Sequence, residues 1–172
     1  TGVRFTHCYA QPLCTPTRCQ IMTGQYNFRN YIGFGVLKPG EPTFGHMMQE
    51  AGYTTCVVGK WQLWGSNDSR GMGGKGVYPE DAGFDEYCLW QIEERGDRYA
   101  DPLMSRNIRK SETMEGAYGP DVATDYLLDF MERKARASFF AYFPMSLVHN
   151  PFAPTPDSPE WADGDRHQQD NR

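Results

Sequence analysis

Along this chain the spacing of apolar positions changes several times, and each change predicts an element. Val3–Ala10, with Val3, Phe5 and Tyr9 among its apolar residues, predicts a strand that Gln11-Pro12-Leu13 breaks. A short helix is expected next. Pro16 suits a first helical turn, where its missing N–H costs nothing, and Gly24 suits the end. Thr43–Ala51 puts Phe44, Met47, Met48 and Ala51 on one helical stripe, with Gly52 as the stop. Tyr53–Val58 is a β-prone run, and Gly59 permits a tight exit from it. In Pro120–Ala135, Val122, Tyr126, Leu127, Phe130 and Met131 recur at helical spacing, and Asp121 favours the first turn. Ser138–Pro144 reads as a buried strand. The stripes are core positions. Alternating strands and helices argue for an α/β fold.

Between these elements the pattern fades. Gly65–Gly76 is a loop by composition, and its glycines lack the strand-to-helix frame of a dinucleotide fingerprint. In Pro79–Tyr87 the acids read as turn formers. Gln91–Gly119 is polar and mixed, in keeping with a hairpin or a specificity insertion. Residues 155–172 read as a surface loop. A length of 172 residues allows one domain with a real core. A net charge of −5 without a basic run argues against nucleic acid as partner. No apolar run reaches the roughly 18 residues of a membrane span. Five cysteines, with no C-x-x-C pair and no zinc spacing, say nothing of compartment. Cys8 and Cys56 fall in predicted strands and are expected to be packed thiols.

Three clusters carry candidate chemistry. Cys14-Thr15-Pro16-Thr17-Arg18 places a cysteine at the mouth of the first helix, where N–H groups and the dipole favour an anion. Arg18, four residues on, shares its face. A nucleophile beside a guanidinium at a helix N-terminus suits sulfate or phosphate. A lone cysteine, however, is more often buried and inert. Lys60 and Gln62 follow the Tyr53–Val58 run. Two residues apart on extended chain they share a face, so both could point at one ligand. Either could equally be a solvated surface polar. His149 follows the Ser138–Pro144 strand and can donate to an anion or act as an acid, though histidines in such places are often structural.

Together the clusters resemble a known family. Cys14 through Gly24, as C-T-P-T-R followed by C-Q-I-M-T-G, is similar to the first sulfatase motif, C-x-P-[S/T/A]-R…T-G. Gly52 through Leu63, as G-Y-T-T-C-V-V-G-K-W-Q-L, resembles the second, G-Y-x-[S/T]-x-x-x-G-K-W-H-L, with Gln62 where the family usually has His. Gln can donate a hydrogen bond but cannot titrate. The stretch Val148-His149-Asn150-Pro151 is similar to the family's P-H-x-P, with Val148 in place of the first proline.

The resemblance implies the alkaline-phosphatase-like fold: a mixed, largely parallel sheet sandwiched by helices, incomplete here. It implies a sulfuric ester hydrolase in which Cys14 is oxidised to formylglycine by a formylglycine-generating enzyme. The hydrated aldehyde would attack a sulfate ester, and its second hydroxyl would then expel sulfate. Arg18, Lys60 and a divalent cation, usually calcium, would offset charge on the transferring group. Gln62 would hydrogen-bond the diol or the sulfate, and His149 would bind sulfate or protonate the leaving oxygen. Of the metal shell only position 14, as formylglycine, falls within the chain. The acidic ligands are expected outside it, so residues 1–172 are expected to be part of a sulfatase catalytic domain. Asp170-Asn171 reads as loop. The partner would be a sulfated small molecule or a sulfated carbohydrate. The family resemblance favours a periplasmic, extracellular or lysosomal setting. A phosphoester or phosphonate hydrolase of the same fold, or an inactive sulfatase-like binding protein, are the alternatives.

Overall fold

The computed structural model describes residues 2–66, 71–162 and 166–167. Helix α1 spans Cys14–Thr23, α2 Asn27–Asn30 and α3 Phe44–Glu50. Strand β1 (Thr54–Lys60) is followed by a 3-10 turn, Glu80–Ala82, and by β2 (Glu86–Trp90). Then come β3 (Leu103–Arg106), β4 (Glu112–Thr113), α4 (Gly119–Arg133), β5 (Phe139–Tyr142) and α5 (Pro159–Ala162). The strands form one mixed sheet in the order β4-β3-β2-β1-β5. β1 runs parallel to β2 and β5, while β3 and β4 are antiparallel additions.

Period-two alternation in β1 divides the core. Val57 faces one side with Met22 of α1, Phe84 and Leu89, and Phe44 of α3 packs on this cluster. Cys56 and Val58 face the other side, against Trp90, Met104 and the Ala123 and Phe130 of α4. Helices therefore cover both faces of β1, and its residues 55–60 are all buried. Thr43 caps α3, accepting from the Gly45 and His46 N–H groups, while His46 receives the Thr43 N–H. Asp85, read as a turn former, instead ties the start of β2 to β1. Its carboxylate accepts from the N–H and hydroxyl of Thr55 at 2.8 and 3.0 Å.

Several expectations give way. Val3–Ala10 is not a strand: it forms no ladder, and Val3, Phe5 and Tyr9 are more than 80% exposed. A strand exists through a partner's hydrogen bonds, and no described residue supplies them. Cys8 is accordingly exposed, whereas Cys56 is buried in β1. The stripe on α3 is also narrower than its spacing suggests. Gly45 lies against the carbonyls of Ala82 and Gly83, too close for a Cβ, and this turns Met47 outward to 65% exposure. Met131 of α4 is likewise exposed. β5 is half-buried rather than buried, because it lies at the sheet edge. β1 runs two residues beyond the predicted run, with Gly59 inside it at φ 109. A Cβ there would meet the Pro144 carbonyl at 2.5 Å, so glycine is what lets the β5 exit approach.

The Gln91–Gly119 stretch contains the antiparallel β3 and β4, as the hairpin reading expected. Within 155–172 the chain forms α5, whose Trp161 packs edge-on against Tyr118 at 5.5 Å. Asp170 and Asn171 lie outside the described residues, as do positions 67–70 of the Gly65–Gly76 loop.

Phe130 is fully buried and meets Phe139 edge-on at 5.7 Å. In urea unfolding of the protein carrying this chain, Phe130→Ala is expected to cost about 3–5 kcal/mol, the scale for an emptied aromatic site. Leu128→Ala, on the half-exposed face of α4, should cost under about 1 kcal/mol. Equal losses would contradict the assignment of the core face.

Candidate active site

The site forms where α1 begins over the ends of β1, β2 and β5. Cys14 is the first residue of α1, preceded by an extended Leu13 that provides no side-chain cap. Pro16 sits within the first turn. Gly24 closes the helix in the left-handed conformation, its N–H donating to Gln20 O at 2.9 Å. The buried hydroxyl of Thr15 accepts the Gly35 N–H at 3.1 Å and fixes the helix start against the following loop.

Arg18 ties this helix to the sheet. The residue is only 8% exposed. Nη1 donates to the carbonyls of Lys60, at 3.3 Å, and Trp61, and Nη2 donates to Gln62 O at 3.3 Å. These carbonyls lie where β1 ends, and a planar fork is suited to collecting several of them. Trp61, wholly buried, adds an anchor by donating its indole N–H to Val77 O at 2.9 Å.

Cys14, Lys60 and Gln62 then meet. Lys60 Nζ lies 3.5 Å from Cys14 Sγ, and Sγ lies 3.5 Å from Gln62 Oε1. Lys60 and Gln62 do not share an extended face as expected: Gln62 has φ 45, so a left-handed turn, not strand alternation, brings it to the sulfur. A thiolate needs donors. A Gln62 amide turned end for end would offer it an N–H. Burial raises the Cys14 pKa, but the charges of Lys60 and Arg18 outweigh it and hold the thiol below its ordinary value. Burial lowers Lys60 to about 8, against the attraction of Cys14. The helix dipole adds to the positive field at Cys14.

His149 joins the site differently. It is exposed and makes no direct contact with Cys14, and Nδ1 lies 2.7 Å from Asn150 O. It lines a cavity of about 700 Å³ together with Cys14, Lys60, Gln62, Trp90 and Arg98. It also lines a second cleft of about 540 Å³ shared with Cys14, Arg18 and residues 142–148. Tyr99 positions its loop, donating to His149 O at 2.5 Å and Ser146 O at 3.0 Å.

The structure thus brings together Cys14, Arg18, Lys60 and Gln62 and sets His149 at the mouth. Sequence reasoning missed Trp90, Arg98 and Tyr99. Arg98 closes the run Glu93-Glu94-Arg95-Gly96-Asp97-Arg98, which reads as ordinary solvated charge. Only burial distinguishes it. Among the described residues no three His, Cys, Asp or Glu gather as a metal-binding group, and no helix is long and apolar enough to cross a membrane.

A family description, Sulfatase, matches residues 1–172. The chain belongs to the sulfatase family. It is 28% identical over 161 residues to an N-acetylglucosamine-6-O-sulfatase of Bacteroides thetaiotaomicron, covering 90% of this chain and 26% of that protein. It is 33% identical over 106 residues to arylsulfatase J of Mus musculus, covering 57% of this chain and 16% of that protein. A solved structure, of a protein in complex with its substrate D-glucosamine-2-N,6-O-disulfate, superposes with a TM-score of 0.71 at 28% identity. The match covers 90% of this chain and 29% of the other. The mixed α/β sheet of this sulfatase chain is therefore part of the alkaline-phosphatase-like fold of its neighbours. The chain spans about a quarter of the first relative's length.

In unmodified protein, Cys14 should be alkylated by iodoacetamide near about pH 7.5 well before Cys19, Cys56 and Cys88, because thiolate is the reactive form. Burial raises those three to about 11, 12 and 12. Lys60→Met should slow Cys14, since it removes a charge that favours thiolate. Peptide mapping reads both effects. Labelling of Cys14 unchanged by that substitution would contradict the proposed field.

Proposed function

We propose that this chain carries the nucleophile-bearing part of a sulfuric ester hydrolase, with Cys14 converted to formylglycine as the nucleophile. The contact that supports this most is Lys60 Nζ at 3.5 Å from Cys14 Sγ, in a cleft and at a helix N-terminus. Sγ stands where the oxygens of the modified residue would lie. Once hydrated, the aldehyde supplies an oxygen nucleophile and a second hydroxyl through which sulfate can be released.

The other side chains provide position and charge. Lys60 is buried, aimed at residue 14 and at hydrogen-bond range of anything bound there, so it stabilises negative charge on a transferring sulfuryl group. Arg18 donates Nη1 and Nη2 to the carbonyls of residues 60–62, while its Nε is buried without an acceptor. It contributes positive field and holds Lys60 in place rather than gripping substrate directly. Gln62 hydrogen-bonds the nucleophile but cannot carry a proton away. His149, at the cleft mouth, is the titratable group suited to meeting the leaving oxygen.

The family generally uses a divalent cation, calcium in this reading. Calcium takes six to eight oxygens, mostly carboxylate. Around Cys14 the described residues offer one amide oxygen beside two cations. That set does not fit calcium by itself, and no step here depends on the ion. A sulfated carbohydrate is the favoured substrate class, because a relative at 28% identity is an N-acetylglucosamine-6-O-sulfatase and a solved neighbour holds a disulfated glucosamine. A formylglycine-generating enzyme is the partner this chemistry requires. Residues 1–172 form part of the catalytic domain in this reading, consistent with the half-buried β5 at the sheet edge.

The test is direct. In a host with the modifying enzyme, the peptide containing residue 14 should be lighter by about 18 Da than the cysteine form. The whole enzyme should turn over an aryl sulfate in preference to the matching aryl phosphate. Cys14→Ala should abolish turnover, and Lys60→Ala should lower kcat by roughly 100-fold or more. An active preparation with an unmodified thiol, or activity surviving Cys14→Ala, would overturn the proposal.

A further inference from the structure

Arg98 bears a charge that the reaction above does not use. It is only 8% exposed, on the loop after β2. Its guanidinium carbon stands 4.1 Å above the Trp90 ring, and Lys60 Nζ stands 5.8 Å from the same ring. Nη1 is buried without an acceptor, and no carboxylate among the described residues pairs with Arg98. The nearby acids are engaged elsewhere. Asp101 takes Arg166 at 3.0 Å and His167 at 2.7 Å, and Asp97 faces His167 at 3.8 Å. Arg98 is also held in place: next to it the Tyr99 carbonyl accepts the Gly119 N–H at 2.7 Å, and the Tyr99 hydroxyl donates to the His149 loop.

Its location separates it from the scissile group. Lys60 Nζ lies 3.5 Å from Cys14 Sγ, whereas Arg98 lines the same cavity with no hydrogen bond to Cys14. Arg98 lines the 700 Å³ cavity and also an adjoining chamber of about 290 Å³, where Arg95 and His149 continue the wall. A buried guanidinium that, among the described residues, stacks on an aromatic face and pairs with no carboxylate gains most from a carboxylate- or sulfate-type anion, which it can meet bidentately.

We propose that Arg98 is a specificity residue that binds a second anionic group, a carboxylate or a second sulfate, on the alcohol portion of the ester. This rests on the sulfatase reading and narrows it: the substrates are esters carrying two anions, one at residue 14 and one at the Arg98–Trp90 wall. The Trp90 ring backs the guanidinium, and the neighbouring chamber leaves room for the sugar or acid that carries the second charge.

The experiment measures inhibition of aryl sulfate turnover by two sugars, using the whole enzyme modified at residue 14. One is N-acetylglucosamine 6-sulfate, with one anion. The other is D-glucosamine-2-N,6-O-disulfate, with two. The wild type should prefer the disulfate by about tenfold or more in inhibition constant, the scale of one charge-assisted bond. Arg98→Met should bring the ratio near one, and Arg98→Lys should keep part of it. The ratio cancels damage that weakens both sugars alike. A wild-type ratio near one, or a preference that survives Arg98→Met, overturns the proposal. An enzyme that turns over no aryl sulfate fails the sulfatase reading instead, and this proposal with it.

Discussion

Everything at this site depends on where the Arg18 guanidinium is anchored. A buried cation left alone costs several kcal/mol, and removing one partner from a buried charged contact typically costs 3–5 kcal/mol. Here the compensation comes from three successive carbonyls, of residues 60, 61 and 62. Those groups sit where β1 leaves the sheet and its ladder ends. One side chain therefore satisfies a frayed strand end and fixes the start of a helix against it. The distance between residue 14 and Lys60 follows from that link.

The rest of the fold keeps the link rigid. Helices on both faces bury β1 from residue 55 onward, so Lys60 is carried by a strand packed on both sides. The ends of the three parallel strands each contribute to one opening: Lys60 and Gln62 from β1, Trp90 and Arg98 from β2, and the His149 loop from β5. Sites in open α/β sheets gather at these carboxyl ends. The positive end of α1 lies over the same opening, so helix dipole, Lys60 and Arg18 act in one direction. A cluster of cations with no carboxylate beside it among the described residues is unfavourable until an anion arrives, which is the electrostatic preorganisation that anion-transfer chemistry needs.

Much of this was legible in the sequence because it rests on local rules. Gly24 had to end a helix, a strand had to run through most of Tyr53–Val58, and Phe130 had to face inward, since periodicity and turn chemistry act over a few residues. The motif spacing placed Cys14 and Arg18 on one helical face without any tertiary information. What failed was non-local. Val3–Ala10 has strand-like residues but no partner among those described, and Met47 fits its stripe until Gly45 docks on the Ala82 and Gly83 carbonyls. Gln62 reaches Cys14 through a left-handed turn that residue type does not reveal. Arg98 and Arg95 read alike as charges in a polar run, and only the packing of Trp90 separates the buried one.

The central claim is a division of labour: Lys60 meets the anion, while Arg18 stays on the strand end. A crystal structure of the whole enzyme with sulfate bound tests it most directly. The account predicts a sulfate oxygen at about 2.7–3.2 Å from Lys60 Nζ, facing residue 14, with the Arg18 guanidinium still on the carbonyls of residues 60–62. A sulfate bound away from residue 14, or an Arg18 released from those carbonyls to clasp it, would contradict the account.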